Sequence, residues 1–327
     1  MARYYVTGGH QRSSRFVRRD EWSSFDSAVL MELDTDTGRA RVVLDYQGPA
    51  HRCPAKDPSH LFKAASWDGD RLLLCTQTEV LVFDPASERV ERTISHPWFN
   101  DVHHVARLRG QLHVVSTGLD AVLVLDENDA VAAVHSATGQ DPWERFERAT
   151  DYRLVPTTKP HRAHPNYVFE ASGTRWITRF EQRDAIRIDT GGPAISVASQ
   201  PIHDGVPHGG SVWFTVVAGQ VVEADPETGG VRTTYDLNPF SRNDGAPLGW
   251  CRGIVVEPER VLLGFSRLRP TLFKQNLAWL RAPLNRPEPA PTRVAAYDLP
   301  AGRELQSWNL EDAGISAIFS ILPAPPR

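Results

Sequence analysis

Residues 110–136 read GQLHVVSTGLDAVLVLDENDAVAAVHS, and the fold is decided here. Three extended runs, QLHVVS, AVLVLD and VAAVHS, are divided by short stretches of Gly, Asp and Asn. Apolar runs of this length between turn-forming residues read as strands joined by tight turns. The middle run ends on Asp126, and that ending recurs along the chain: VLMELD at Asp34, VLVFD at Asp84, AIRID at Asp189, VVEAD at Asp225 and VAAYD at Asp298. Most copies are followed by a turn and another extended stretch, as in TDTGRARVVLDY, PASERVERTIS and PETGGVRTTYD. An apolar run such as DRLLLCTQ, TRWITRF, SVWFTVV or RVLLGFS precedes most of them. Before that lies a further candidate strand: LFKAAS, DVHHVARL, NYVFEA, HDGVPH or CRGIVV. The unit is four strands in roughly 35 to 45 residues, the sequence form of a propeller blade.

Six Asp-ended strands predict an all-β, six-bladed β-propeller with four-stranded blades. The first copy has only RYYVTGG in front of it, and the C-terminal GISAIFSIL has nothing after it. Joining the two, with the last strand innermost, completes a blade and removes free sheet edges. A pair of β-sandwiches is the rival architecture. Repeats that run the whole length of the chain without a linker favour one propeller domain over residues 1–327. Two stretches break the period, 136–163 and 267–292, and loops of that length read as lids over the mouth of the propeller.

Composition narrows the class. The chain has 327 residues, is 41% hydrophobic and carries a formal charge of −4. The isoelectric point is about 6.3 and the mean hydropathy −0.36. There is no basic footprint for nucleic acid, and no apolar run long enough to span a membrane. MARYYVTGGHQRSSRF lacks the apolar centre of a secretory signal, and the three cysteines form no CxxC pair. A cytoplasmic protein without a thiolate zinc site is expected.

The histidines carry the functional signal. In a propeller the innermost strand of each blade lines the axis. When the blades are aligned on the turns at Gly69, Gly110 and Gly173, Lys63, His104 and Tyr167 fall at equivalent positions six residues earlier. His103 and Asn166 are their neighbours, while His161 and His164 lie at the entrance of the third inner strand. The fourth entrance carries His203, Asp204 and His208, the fifth Trp250, Cys251 and Arg252, and the sixth Ser316. Of twelve histidines, six thus sit at inner strands of three consecutive blades. His10, His51, His60, His96, His113 and His135 read as structural or surface residues.

Imidazoles suit divalent transition metals, and three protein ligands with one open position is the layout of a catalytic centre. The predicted ligand set is His104, His164 and His208, with His161 and His203 in reserve. The metal would be Zn, Mn, Fe or Cu. Asp204 or His103 would move a proton, and Lys63 and Arg252 would hold an anionic group of a small-molecule substrate. Strand-end histidines also serve as proton carriers or hydrogen-bonding residues without a metal. Cys251 reads as packing beside Trp250, and Asn166 after Pro165 as a ligand or a turn cap.

WFNDVHHVA, HRAHPNYV, VPHGGSVWFTV and GWCRGIVV, in that order, resemble blocks of a bacterial family of uncharacterised six-bladed propeller-like proteins. More distantly the plan is similar to propellers of the gluconolactonase and strictosidine synthase type. That resemblance implies a metal or acid–base site at the axial mouth. Lactonases of that type hold a hard cation with Glu, Asn and Asp, whereas this chain offers histidines, as the oligogalacturonate lyases do. The expected function is a metal-dependent lyase or hydrolase. A His-ligated iron or copper oxidative enzyme and a non-catalytic ligand- or protein-binding propeller are the alternatives.

Overall fold

The computed structural model describes residues 2–12, 24–189, 194–197, 199–241, 247–268 and 289–325. Strands β1 (Arg3–Gln11), β2 (Phe25–Asp34) and β3 (Ala40–Tyr46) come first and belong to the blade that closes the ring. Blade one is β4 (Ser66–Asp68), β5 (Arg71–Cys75), β6 (Val80–Asp84) and β7 (Arg89–Ile94). Blade two is β8 (Val102–Leu108), β9 (Gln111–Ser116), β10 (Ala121–Leu125) and β11 (Val131–Ser136). Blade three is β12 (Pro165–Ala171), β13 (Thr174–Arg179), β14 (Asp184–Arg187) and β15 (Ile195–Ser196). Blade four is β16 (Val206–His208), β17 (Ser211–Val216), β18 (Gln220–Ala224) and β19 (Val231–Asp236). Blade five is β20 (Trp250–Val256), β21 (Val261–Ser266), β22 (Arg293–Asp298) and β23 (Arg303–Asn309). β24 (Ala317–Pro323) then pairs inside β1, so the sixth sheet runs β24-β1-β2-β3. The sequence expectation of six four-stranded blades with a composite closing blade is met.

The recurrent Asp has a local cause. It ends the third strand and caps the turn into the fourth. Asp34 Oδ1 accepts from Asp36 N at 2.9 Å, Asp126 Oδ1 from Asn128 N at 2.9 Å and Asp225 Oδ1 from Glu227 N at 2.8 Å. These are Asx turns, which fix the hairpin without any tertiary contact. Blade three departs from the rule: Asp189 lies beyond β14 and pairs with Arg175.

Burial follows strand position. β10 is buried at every residue, whereas β19 at the rim alternates between exposed and half-buried. A middle strand is covered on both faces by neighbouring blades and therefore reads as a continuous apolar run. The core consists of wedges between blades. Leu73 and Val80 of blade one meet Val114 and Leu123 of blade two. Phe169 and Trp176 of blade three meet Phe214 of blade four. Val29 and Met31 of the closing blade meet Leu262 and Val294 of blade five.

The ring is held shut by the β1–β24 ladder, which runs from Tyr4↔Pro323 to Gly9↔Ala317 with a bulge between Thr7 and Gly8. A Cβ on Gly8 would lie 1.7 Å from the Ala317 carbonyl oxygen, so this approach requires glycine. Gly8→Ala should therefore destabilise the fold by about 1–3 kcal/mol, the scale of overpacking a filled site. The surface change Gly230→Ala, whose nearest neighbour would be Thr228 Oγ1 at 3.4 Å, should be close to neutral. Denaturant midpoints of the two variants measure the difference.

Candidate functional site

Each of the six blades sends a side chain to the upper end of the axis. Blade one supplies Lys63 and blade two Asp101 and His103. Blade three supplies His161 and His164, and blade four His203 and Asp204. Arg252 comes from blade five and Phe319 from blade six. The His103 ring centroid lies 5.0 Å from that of His164 and 6.1 Å from that of His203. The Arg252 guanidinium covers the Phe319 ring at 4.4 Å, and Lys63 Nζ is 6.0 Å from the same ring.

The hydrogen bonds set the tautomers. His103 Nδ1 is 2.8 Å from the Asp101 carbonyl, which can only accept, so Nδ1 carries the proton. Nε2 keeps its lone pair, with the Lys63 ammonium 3.2 Å away. Lys63 is in turn ion-paired to Asp101. His203 Nδ1 donates to Asp204 Oδ1 at 3.1 Å, leaving Nε2 as a buried acceptor with no hydrogen-bond partner among the described residues. Asp204 is held on its other oxygen by Thr215 Oγ1 at 2.5 Å and by the Gly253 N–H at 2.7 Å. His161 and His164 face each other through Nδ1 at 3.4 Å. Thr158 Oγ1 donates to the Gly118 carbonyl at 2.5 Å and therefore accepts from His161 Nε2 at 3.4 Å.

Electrostatics keep the imidazoles neutral. Burial, and then the Lys63 charge, hold His103 well below the usual histidine range. Burial, and then His161, do the same for His164. Burial lowers His203 despite the opposing pull of Asp204. Burial works against the Asp101 carboxylate, but Lys63 and His103 override it and hold the group well below the carboxylate norm. Asp204 is likewise opposed by burial and lowered by the charge and hydrogen bond of His203. The site thus contains several neutral bases beside the ion pair of buried Lys63 with half-buried Asp101.

The sequence-predicted ligand set is not brought together. His104 turns away from the cluster. Its ring stacks on Tyr167 at 3.6 Å, its Nδ1 accepts from Val168 N at 3.2 Å, and burial pushes its pKa down to about 3. The cause is a β-bulge between Val102 and His104, which makes His103 the extra residue and re-aims it. His208 is exposed in the β16–β17 hairpin, opposite Ser211. It lies five positions beyond His203, at the far end of β16. There it lines a separate lower funnel of about 220 Å³ with Tyr167, Val206 and Ser320, and Asp204 reaches that funnel from above.

His164, His161, His203, Asp204, Lys63 and Arg252 lie at the axis, as the alignment placed them, whereas His103 takes the axial place that the alignment gave to His104. Asn166 turns aside, its Nδ2 donating to the Ile202 carbonyl at 3.1 Å. Cys251 is buried, and burial pushes its thiol well above the usual range, in line with a packing role. Asp101, Thr158, Thr215 and Phe319 were not singled out by sequence. The one signal available was the position of Asp101 directly before the Val-His-His run.

The insertion over 136–163 folds down beside the mouth. Asp120 fastens it: Oδ1 accepts from Ala163 N at 2.9 Å and His164 N at 2.8 Å, and Oδ2 from Arg162 N at 2.8 Å. Asn100 Nδ2 adds bonds to the Tyr152 and Val155 carbonyls at 2.7 and 2.8 Å. In the second insertion, residues 269–288 lie outside the described residues.

No protein-family model matches the chain, and no curated protein matches it. Solved structures show the fold. A protein of unknown function from Bacteroides caccae superposes with a TM-score of 0.59 at 10% identity, with 99% of each chain covered. A chain of the nidogen/laminin complex gives 0.61 at 9% identity, covering 99% of this chain and 98% of that one. The WD40 β-propeller domain of Doa1 gives 0.51 at 13% identity, covering 97% and 89%. Similarity at these identities is of fold alone. Among the described residues no helix is long and apolar enough to cross a membrane.

Two outcomes follow. Asp120→Ala should raise hydrogen–deuterium exchange across 138–164 by an order of magnitude or more while β9 and β10 stay protected. Stability should also fall on mild acidification. Below about pH 6.5 the unfolded chain takes up protons at histidines. The folded state resists at His104 down to about 3. Folding is thus progressively opposed as the pH drops from about 6.5. The thermal midpoint should decline between pH 7 and pH 5, and His104→Gln should make that slope shallower.

Proposed function

We propose that the axial mouth is an enzyme site for an anionic small molecule, with hydrolase or lyase chemistry in which His203 moves the proton. The observation that carries this reading is the His203–Asp204 pair. The Asp204 carboxylate is fixed by three donors and accepts the Nδ1 proton, so Nε2 presents a lone pair in a dry setting. A carboxylate behind an imidazole sets its tautomer and steadies the imidazolium formed when Nε2 takes a proton. Asp204 is a positioning residue in this scheme. Lys63 and Arg252 attract the anionic group of the substrate, as ammonium and guanidinium groups do in water-poor sites.

A divalent transition metal, Zn, Mn, Fe or Cu, belongs to the same reading. The donors that suit it are His161 and His164, with His103 as third ligand, rather than His104 and His208. The two Nδ1 atoms stand 3.4 Å apart. Two ligands on a tetrahedral ion with bonds of about 2.0–2.1 Å stand about 3.3 Å apart. Among the described residues no three His, Cys, Asp or Glu side chains are already gathered in a metal-holding arrangement, so His103 would first have to turn from Lys63. Such an ion supplies Lewis acidity or a hydroxide at neutral pH.

The same nitrogen donors would serve an oxidative iron or copper centre. Any kinship with gluconolactonase and strictosidine synthase-type propellers would rest on blade plan alone. A non-catalytic ligand- or protein-binding role is the competing class. The three cysteines are free and buried, which suits a reducing cytoplasm.

Elemental analysis of untagged protein tests the metal. Near-stoichiometric metal is expected, lost in His164→Ala and retained in His208→Ala; metal-free protein after supplementation removes this part of the reading. A thermal-shift panel of carboxylate- and phosphate-bearing metabolites tests the substrate class. A hit should stabilise the wild type and fail with Lys63→Met or Arg252→Met. Turnover of that hit should fall at least 100-fold in His203→Ala. Binding that survives both cation changes would sink the proposal.

A further inference from the structure

We infer that the outer edge of blade two is a docking groove for an extended, acidic segment of a protein partner, which adds as a fifth strand beside β11. Propeller rims expose strand edges, and an unblunted edge is a template for another strand. The rim strands of this protein are blunted by charge. β3 carries Arg41 and Asp45, β7 carries Arg89, Glu91 and Arg92, β19 carries Arg232 and Asp236, and β23 carries Arg303 and Glu304. β15 is only two residues long. β11, VAAVHS, is long enough to pair and has no Asp, Glu, Lys or Arg.

The same edge borders a cleft of about 500 Å³, whose walls include Ala132, Val134, Trp98, Trp143 and Arg148. That volume lies within the range of pre-formed ligand clefts, about 300–1000 Å³. The Trp98 and Trp143 ring centroids are 4.3 Å apart. Trp98 Nε1 donates to the Arg148 carbonyl at 3.0 Å, and the Arg148 guanidinium lies 4.6 Å from the Trp143 ring. The far wall is the insertion, tied back by Trp98 Nε1 on the Arg148 carbonyl and by Arg145 Nη1 on Asp120 Oδ2 at 3.2 Å.

Charge and shape select the occupant. Arg148 is exposed and no ion pair to it is found among the described residues, while Asp141, the acid that shares the cleft lining, accepts from Trp143 N at 3.1 Å. Arg148 projects beside a strand edge that can take main-chain hydrogen bonds, the mode in which backbone pairing gives affinity and flanking side chains give register. An extended peptide with Asp or Glu opposite Arg148 satisfies both.

The test is selection of linear seven-residue peptides by display on the whole chain, followed by calorimetry with the winning sequence made synthetically. The expected winners alternate apolar and polar residues, lack a central proline and contain Asp or Glu. Arg148→Glu and Ala132→Lys should each weaken the synthetic peptide at least tenfold without moving the thermal midpoint. His203→Ala should leave it unchanged, which separates this groove from the axial site. Winners without an acidic residue, or binding indifferent to both changes, overturn the inference. A dimer in sedimentation that Ala132→Lys dissolves also overturns it, because a second copy would then be the occupant.

Discussion

The antiparallel ladder between the first strand and the last is the contact on which the molecule depends. Each blade buries its faces only against its neighbours, so a ring open at one point leaves two apolar faces in water. The β1–β24 pairing closes that gap with strands from opposite ends of the chain. Its cost is entropic, the closure of a loop of almost the whole chain, and that cost grows only slowly with length. The reward is two interblade wedges at once, Tyr4 and Met31 against blade five and Tyr5 and Leu30 against blade one.

Closure also creates the site. With the blades in a ring, the entrances of the inner strands converge, and residues separated by about 40 positions become neighbours. The inner strands do not enter the axis as regular strands. Bulges interrupt β8 before His104, β12 between Pro165 and Val168, and β20 at Gly253. One bulge turns His103 inward, and another aims the Gly253 N–H at Asp204. Gly253 has φ +78°, and a Cβ there would stand 3.0 Å from the Ser320 backbone, so the residue that closes the Asp204 hydrogen-bond set is a glycine for conformational and steric reasons.

Burying this many titratable groups is unfavourable unless each is neutral or matched. The histidines are kept neutral by burial itself. Lys63 is matched by Asp101, and Asp204 by three donors. Because these groups come from five blades and pack on Phe319 of the sixth, the charge balance exists only in the assembled ring, and any functional use of the cluster requires the whole fold.

The sequence by itself determined the blade. Strand, turn and Asx cap are local, so the six Asp-marked endings at Asp34, Asp84, Asp126, Asp189, Asp225 and Asp298 counted the six blades, although Asp189 lies just beyond its strand, and the unmatched ends of the chain revealed the closing strand. It also named the axial histidines as a group, because strand entrances can be aligned. What it could not decide was which of two adjacent histidines faces the axis. Side chains alternate along a strand, and one bulged residue inverts that alternation, yet a bulge is set by hydrogen bonds to partner strands and leaves no mark in the periodicity. His104 was chosen for that reason, and His103 holds the place. His208 was misplaced by a related cause: after the strand entrance it runs on into the hairpin, and only the β16–β17 register shows that it is already at the far end. Lys63–Asp101, the bond from Gly253 to Asp204 and the Asp120 clasp join segments far apart in sequence, and tertiary structure alone brings them within reach.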